Sequence, residues 1–161
     1  MDDGRLLEEI ALGKRSVAEL AGLDAKDLDR IEGLGVSAFS SGRFDRAATI
    51  FSGLEALDPK RPEHSLHLAH AFAQSGHSGP AIDAFSRYLD GVEADGRTDD
   101  VIRALLARAL LYVSRNDDQR AHADLSRARE LAGQDPGLAK LVEEFGRDRS
   151  SQPPRAPKGS P

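Results

Sequence analysis

Three histidines stand three residues apart in the stretch HSLHLAH: His64, His67 and His70. Imidazole is the commonest metal ligand and the one side chain whose unperturbed charge changes near neutral pH, so the cluster invites a metal or proton-transfer reading. Helix geometry argues against a shared metal. Residues three apart differ by roughly 300° around the axis, so His64 and His70 point roughly 120° apart. The one acid at matching spacing is Glu63, four before His67. A metal centre needs convergent ligands and an outer shell that orients them. No metal ligand set and no cofactor is therefore expected.

Other chemistry-bearing stretches fare no better. SGHSGP at residues 75 to 80 has the look of a nucleophile turn, but that turn needs a strand before it and a helix after it. Helical patterns flank it here, and Ser78 is expected as a helix cap. LGKRS at residues 12 to 16 lacks the upstream glycine of a phosphate loop. The pairs Asp99-Asp100 and Asp117-Asp118 fall at helix starts, where they complement the dipole. No acid–base pair assembles, and the chain is expected to have no enzymatic activity.

The elements that hold these residues follow from composition and period. A chain of 161 residues is long enough for one domain with a real core. Its net charge of −5 offers no basic face for phosphates, which excludes nucleic-acid binding. No apolar run approaches a bilayer's thickness, and MDDGRLLEEI is acidic where a secretory signal is basic. A cytoplasmic protein without membrane insertion is expected. The absence of cysteine removes disulfides and thiol chemistry. Ala and Leu abound and Trp is absent, which favours helices.

The sequence repeats itself. Leu34 matches Leu68, Gly42 matches Gly76, Ala47 matches Ala81 and Phe51 matches Phe85, all at an offset of 34. A third unit follows at an offset of 40, with Tyr112 answering Phe72, Ala121 answering Ala81 and Leu125 answering Phe85. The extra residues fall in the polar stretch DGVEADGRTDD, where they lengthen a connection without entering a helix. A period of 34 residues built as helix, turn, helix resembles the tetratricopeptide repeat. Leu34, Gly35, Ala38, Gly42, Phe44, Ala47, Phe51 and Pro59 stand at its signature spacing in the first unit, and Ala69 takes the small position in the second.

Small residues (Gly35, Ala47, Ala69, Ala81, Ala109, Ala121) let paired helices approach. Phe51, Phe72, Phe85 and Tyr112 fill the space to the next pair, each contributing roughly 1.5–3 kcal/mol when buried. Gly42 and Gly76 supply left-handed turn positions. Pro62 and Pro80 lie just inside helix starts, and Asp24 caps the helix entering the first repeat. The fold class implied is all-α: tetratricopeptide hairpins stacked in a right-handed solenoid, with N-terminal helices and a C-terminal capping helix. Residues 1–23 form an N-terminal helical segment with Leu6, Leu7 and Ile10 on one side. RSVAELAGLDAKDLDRI reads as a second helical stretch. Residues 24–146 form the three-repeat domain, closed by Leu138, Leu141, Val142 and Phe145 on one helix face. Residues 147–161, rich in Pro, Ser and Gly, are expected to be disordered.

The first helices of such repeats line a hollow. Helical phase places Glu32, Val36, Phe39 and Ser40 there from the first unit, Leu66, His70, Ala73 and Gln74 from the second, and Leu106, Leu110 and Val113 from the third. His64 and His67 are expected toward solvent. The lining is more apolar than polar, with Arg103 and Asn116 near its margin. Such a groove suits an extended peptide with spaced apolar anchors. The leading run SVAELAGLDAKDLDRIEGLGVSAFSSGRFDRAATIFSGLEALDP resembles the class II chaperones of type III secretion. That resemblance implies a small helical protein holding hydrophobic translocator clients in the cytoplasm, an extended client segment in the groove, and homodimers made through Leu6, Leu7 and Ile10. The alternative is a general repeat scaffold joining proteins of a regulatory or envelope assembly.

Overall fold

A computed structural model of the chain describes residues 16–92, 98–133 and 135–150. Its regular elements there are helices: α1 Val17–Leu20, α2 Ala25–Ser40, α3 Phe44–Leu57, α4 Pro62–Gln74, α5 Ser78–Gly91, α6 Thr98–Ser114, α7 Asp118–Ala132 and α8 Pro136–Ser150. The chain divides into two compact units, meeting in sequence at Glu93 and Ala94. Leu6, Leu7 and Ile10 lie outside the described residues, as do residues 151–161 of the expected tail.

In the first unit, helix starts are set by side-chain caps. Ser16 accepts from the Glu19 amide while Glu19 accepts from the Ser16 amide. Asp24 and Asp27 repeat this reciprocal box ahead of α2, and each such cap contributes about 1 kcal/mol. The stretch RSVAELAGLDAKDLDRI, expected to be helical with Asp24 as a cap, is two helices. Gly22, at φ +72°, ends the first, and the Asp24 cap begins the second. Ser78 is the first residue of α5 and not its cap. His77 holds the cap position without a side-chain bond to the helix, because its ring is engaged with Ser75 Oγ at 2.8 Å.

Each hairpin turns in three residues by one device. The amide of Arg43 donates to the Ala38 carbonyl, His77 to Phe72, and Asp117 to Tyr112, all at 2.9 Å. These bonds close a Schellman motif whose middle residue must be left-handed. Gly42 (φ +73°) and Gly76 (φ +83°) fill that position, and Asn116 (φ +60°) fills it in the third hairpin. Asn is the residue beside Gly that tolerates this conformation.

Packing follows the repeat pattern. Within the first unit α2 packs on α3, α3 on α4 and α4 on α5. Gly35 allows the closest approach, with Phe51 buried against it. Ala47, Ala69, Ala81 and Phe85 are also buried. In the second unit α6 and α7 form the third hairpin around Ala109, Tyr112, Ala121 and Leu125, and α8 packs on both helices. Val142 is a buried residue of α8, flanked by half-buried Leu138, Leu141 and Phe145.

Candidate functional site

The expected lining residues occupy equivalent positions. Val36, His70 and Leu110 are related by the offsets of 34 and 40, as are Glu32, Leu66 and Leu106, and Phe39, Ala73 and Val113. In α2, Val36 is 46 % exposed although it is apolar. Phe39 beside it is half-buried, its ring meeting Phe44 edge-on at 5.2 Å. Ser40 is exposed. On α4, Leu66 and Ala73 are half-buried and Gln74 is exposed. On α6, Leu110 is 52 % exposed and Val113 is half-buried. Leu106 departs from expectation: at 5 % exposure it belongs to the core of the second unit. It stands four after Ile102 and three before Ala109, both wholly buried, so it shares the buried face of α6.

Glu32 does not face an open groove as a free acid. Its Oε1 lies 3.3 Å from His67 Nδ1 and its Oε2 lies 3.9 Å from Arg61 Nη1. Arg61 also approaches Asp29 at 3.4 Å and Asp58 at 3.7 Å. Five charged or titratable side chains from α2, α4 and their neighbouring connection thus meet at one edge of the face. The His67 contact is close but not aligned as a hydrogen bond, and its Nδ1 has no bonded partner.

The three histidines pack on three different surroundings. His67 is half-buried against the Phe51 ring, with centroids 5.0 Å apart. His70 stands edge-on to Phe85 at 5.1 Å, and burial pushes its imidazole below the ordinary value, with His67 adding to the effect. His64 overturns the expectation that it faces solvent: it is 0 % exposed, and neither ring nitrogen has a hydrogen-bond partner in the protein. A buried polar group left unbonded costs roughly 1–3 kcal/mol. Among the described residues, no group of three His, Asp or Glu converges as a metal site would need. The marginal polar residues are engaged as well: Arg103 Nε donates to Asp99 at 3.1 Å, and Asn116 makes the turn.

No family model matches the chain, and no curated protein matches it in sequence. Solved structures do match. The type III secretion translocator chaperone SycD of Yersinia enterocolitica superposes with a TM-score of 0.69 at 19 % identity, over 86 % of this chain and 98 % of that one. PcrH in complex with the chaperone binding region of PopB gives a TM-score of 0.66 at 23 % identity, over 78 % of this chain and 97 % of that one. The first tetratricopeptide domain of Spaghetti (RPAP3), bound to an HSP90 peptide, gives 0.62 at 16 % identity, over 80 % and 97 %. The likeness is one of fold. It shows the tetratricopeptide hairpins that the repeat spacing predicts.

Among the described residues, two exposed large apolar side chains lie outside the expected lining. Leu34 is 64 % exposed, whereas its equivalent Leu68 is 2 % exposed. Helix α4 is held between α3 and α5, while among the described residues α2 packs extensively only on α3. A position that a neighbouring hairpin covers in the second repeat is thus uncovered among the described residues in the first. Val17, 40 % exposed on α1, is the other. In the second unit an open cleft between the start of α6 and α8 is lined by Asp99, Arg103, Leu138, Leu141 and Glu144.

Proposed function

We propose that the chain is a non-catalytic, cytoplasmic chaperone that holds an extended segment of a hydrophobic, translocator-type secretion client on the first helices of its repeats. The observation that carries this reading is the exposure of Val36 and Leu110 at equivalent positions of α2 and α6. Neither side chain is needed for the packing of its own hairpin, and in each unit an apolar side chain left in water on a first helix suits an anchor for a bound segment. The fold likeness supports the same reading, since SycD is a translocator chaperone and PcrH is seen with the chaperone binding region of PopB. No helix among the described residues is long and apolar enough to cross a membrane. The reading includes a homodimer made through Leu6, Leu7 and Ile10.

A second reading, a general repeat scaffold, draws on the likeness to the Spaghetti domain bound to the peptide SRMEEVD. An acidic peptide of that kind calls for basic side chains, and here Arg61 already meets Asp29, Glu32 and Asp58. Co-expression separates the two. A membrane-active translocator subunit is expected to remain soluble with the wild-type chain and to precipitate with Val36→Glu plus Leu110→Glu, whose helical circular dichroism is unchanged. Equal solubility with both chains overturns the chaperone reading.

A further inference from the structure

His64 occupies the third position of α4, after Pro62 and Glu63. Its ring is wholly buried and unbonded. The helix start carries partial positive charge, which disfavours a cation there. Charged and titratable groups face it from every neighbouring element: Glu32 from α2, Glu55 from α3 (itself held by Arg87 of α5), Asp58 and Arg61 from the connection, and His67 from its own helix. A neutral ring can stay in this site. An imidazolium has two N–H groups to satisfy, and the facing carboxylates, Glu32, Glu55 and Asp58, do not bond the ring where it sits.

We propose that His64 is an acid-sensitive latch at the junction of the first two hairpins: on protonation its ring leaves the core and the α3–α4 connection with the first turn of α4 opens. The proposal rests on the fold of the first unit and stands apart from the chaperone reading. Burial lowers the His64 value below 6.5, outweighing the opposing pull of Glu32, while Arg61 and His67 lower it further and Asp58 raises it. A histidine lowered in the folded state contributes stability above its unfolded value and loses it as pH falls below about 6.5. The loss continues down to the folded value. The window therefore opens just below neutrality and extends into mild acid.

Proton NMR of the full chain, titrated from about pH 8 to about pH 5 across the ordinary histidine range, tests this directly. The His64 ring signal, assigned by its absence in His64→Gln, is expected to keep its neutral shift below pH 6.5. Amide exchange over residues 58–66 is expected to accelerate on acidification ahead of α5. Thermal melts of His64→Leu are expected to lose most of the acid-induced fall in Tm that the wild type shows. A His64 signal titrating at or above the ordinary value, or exchange unchanged across 58–66, overturns the proposal. So does an equal fall in Tm in a folded His64→Leu. Should that variant fail to fold, the titration and exchange of the wild-type chain decide alone.

Discussion

Arg108 on α6 holds Asp124 on α7 through two parallel hydrogen bonds, Nε to Oδ2 at 2.9 Å and Nη2 to Oδ1 at 2.7 Å. Both side chains are largely out of water. By the offset of 40 they stand where the second hairpin has Leu68 and Ala84, both buried. The third hairpin thus replaces an apolar pair by an ionic one. Breaking a buried pair leaves one charge stranded, so Asp124→Ala should cost about 3 kcal/mol, read as a lower Tm. The double change Arg108→Leu with Asp124→Ala restores the second hairpin's residues and should recover most of that loss, since apolar replacements of buried pairs are often neutral. A double variant no better than the single one would refute the equivalence.

Gly35 sits under the Phe51 ring, and a Cβ there would stand 2.6 Å from Phe51 Cε1. That ring is buried and has little room to yield. Overpacking of about 1–3 kcal/mol outweighs the gain of about 1 kcal/mol in helix propensity. Gly35→Ala should therefore destabilise the first unit by about 1 kcal/mol, and Phe51→Leu in the same chain should relieve part of the clash. Urea denaturation measures both.

Asn116 is the left-handed residue of the third turn. Replacing it with Ala should cost about 1 kcal/mol, because a Cβ is strained there and the side-chain amide is lost. Asn116→Gly should be neutral within about 0.5 kcal/mol. Equal losses for the two variants would show that the turn does not need the conformation that Gly42 and Gly76 supply.

Glu55 ties three helices together. Burial alone would raise its carboxyl, but hydrogen bonds from Arg87 and Ser65, with the Arg87 charge, hold it below the ordinary value of 4.5. A lowered carboxylate contributes stability above its unfolded value and loses it as pH falls through the folded one. Arg87→Met should therefore flatten the fall in stability below about pH 4.5, measured by urea midpoints across the acid range. A fall as steep as in the wild type would mean that the pair contributes nothing.

Val36 and Leu110 are exposed, so Val36→Ser and Leu110→Ser should each change stability by less than about 0.5 kcal/mol. Client capture should fall by at least tenfold for the double variant. Large losses of stability would place these side chains in the core instead.

The hairpins were legible because their signals are local and periodic: small residues at Gly35, Ala69 and Ala109, large ones at Phe51 and Phe85, and glycine at two turns. The third hairpin was fainter for a physical reason. Arg108 and Asp124 satisfy each other across the core, and Asn116 does a glycine's work, so neither follows the apolar pattern. The lining was read from helical phase alone, which treats every first helix alike. Val36 and Leu110, which it picks, are exposed. It misplaced Leu106, which shares the buried face of Ile102 and Ala109, and it misplaced His64, because a polar letter at a core position carries no sign of burial. Leu34 was read correctly as a repeat residue, but its end-of-array exposure depends on what lies before it.

The three tight bends share one closure, with a single left-handed residue between two fixed bonds, whereas the joint between Val92 and Thr98 carries the additional residues of the longer repeat. Added length is therefore tolerated at that joint and penalised inside a bend. An epitope or a fluorescent reporter spliced after Val92 should leave every hairpin intact, while a single residue spliced into 41–43 would have to break one.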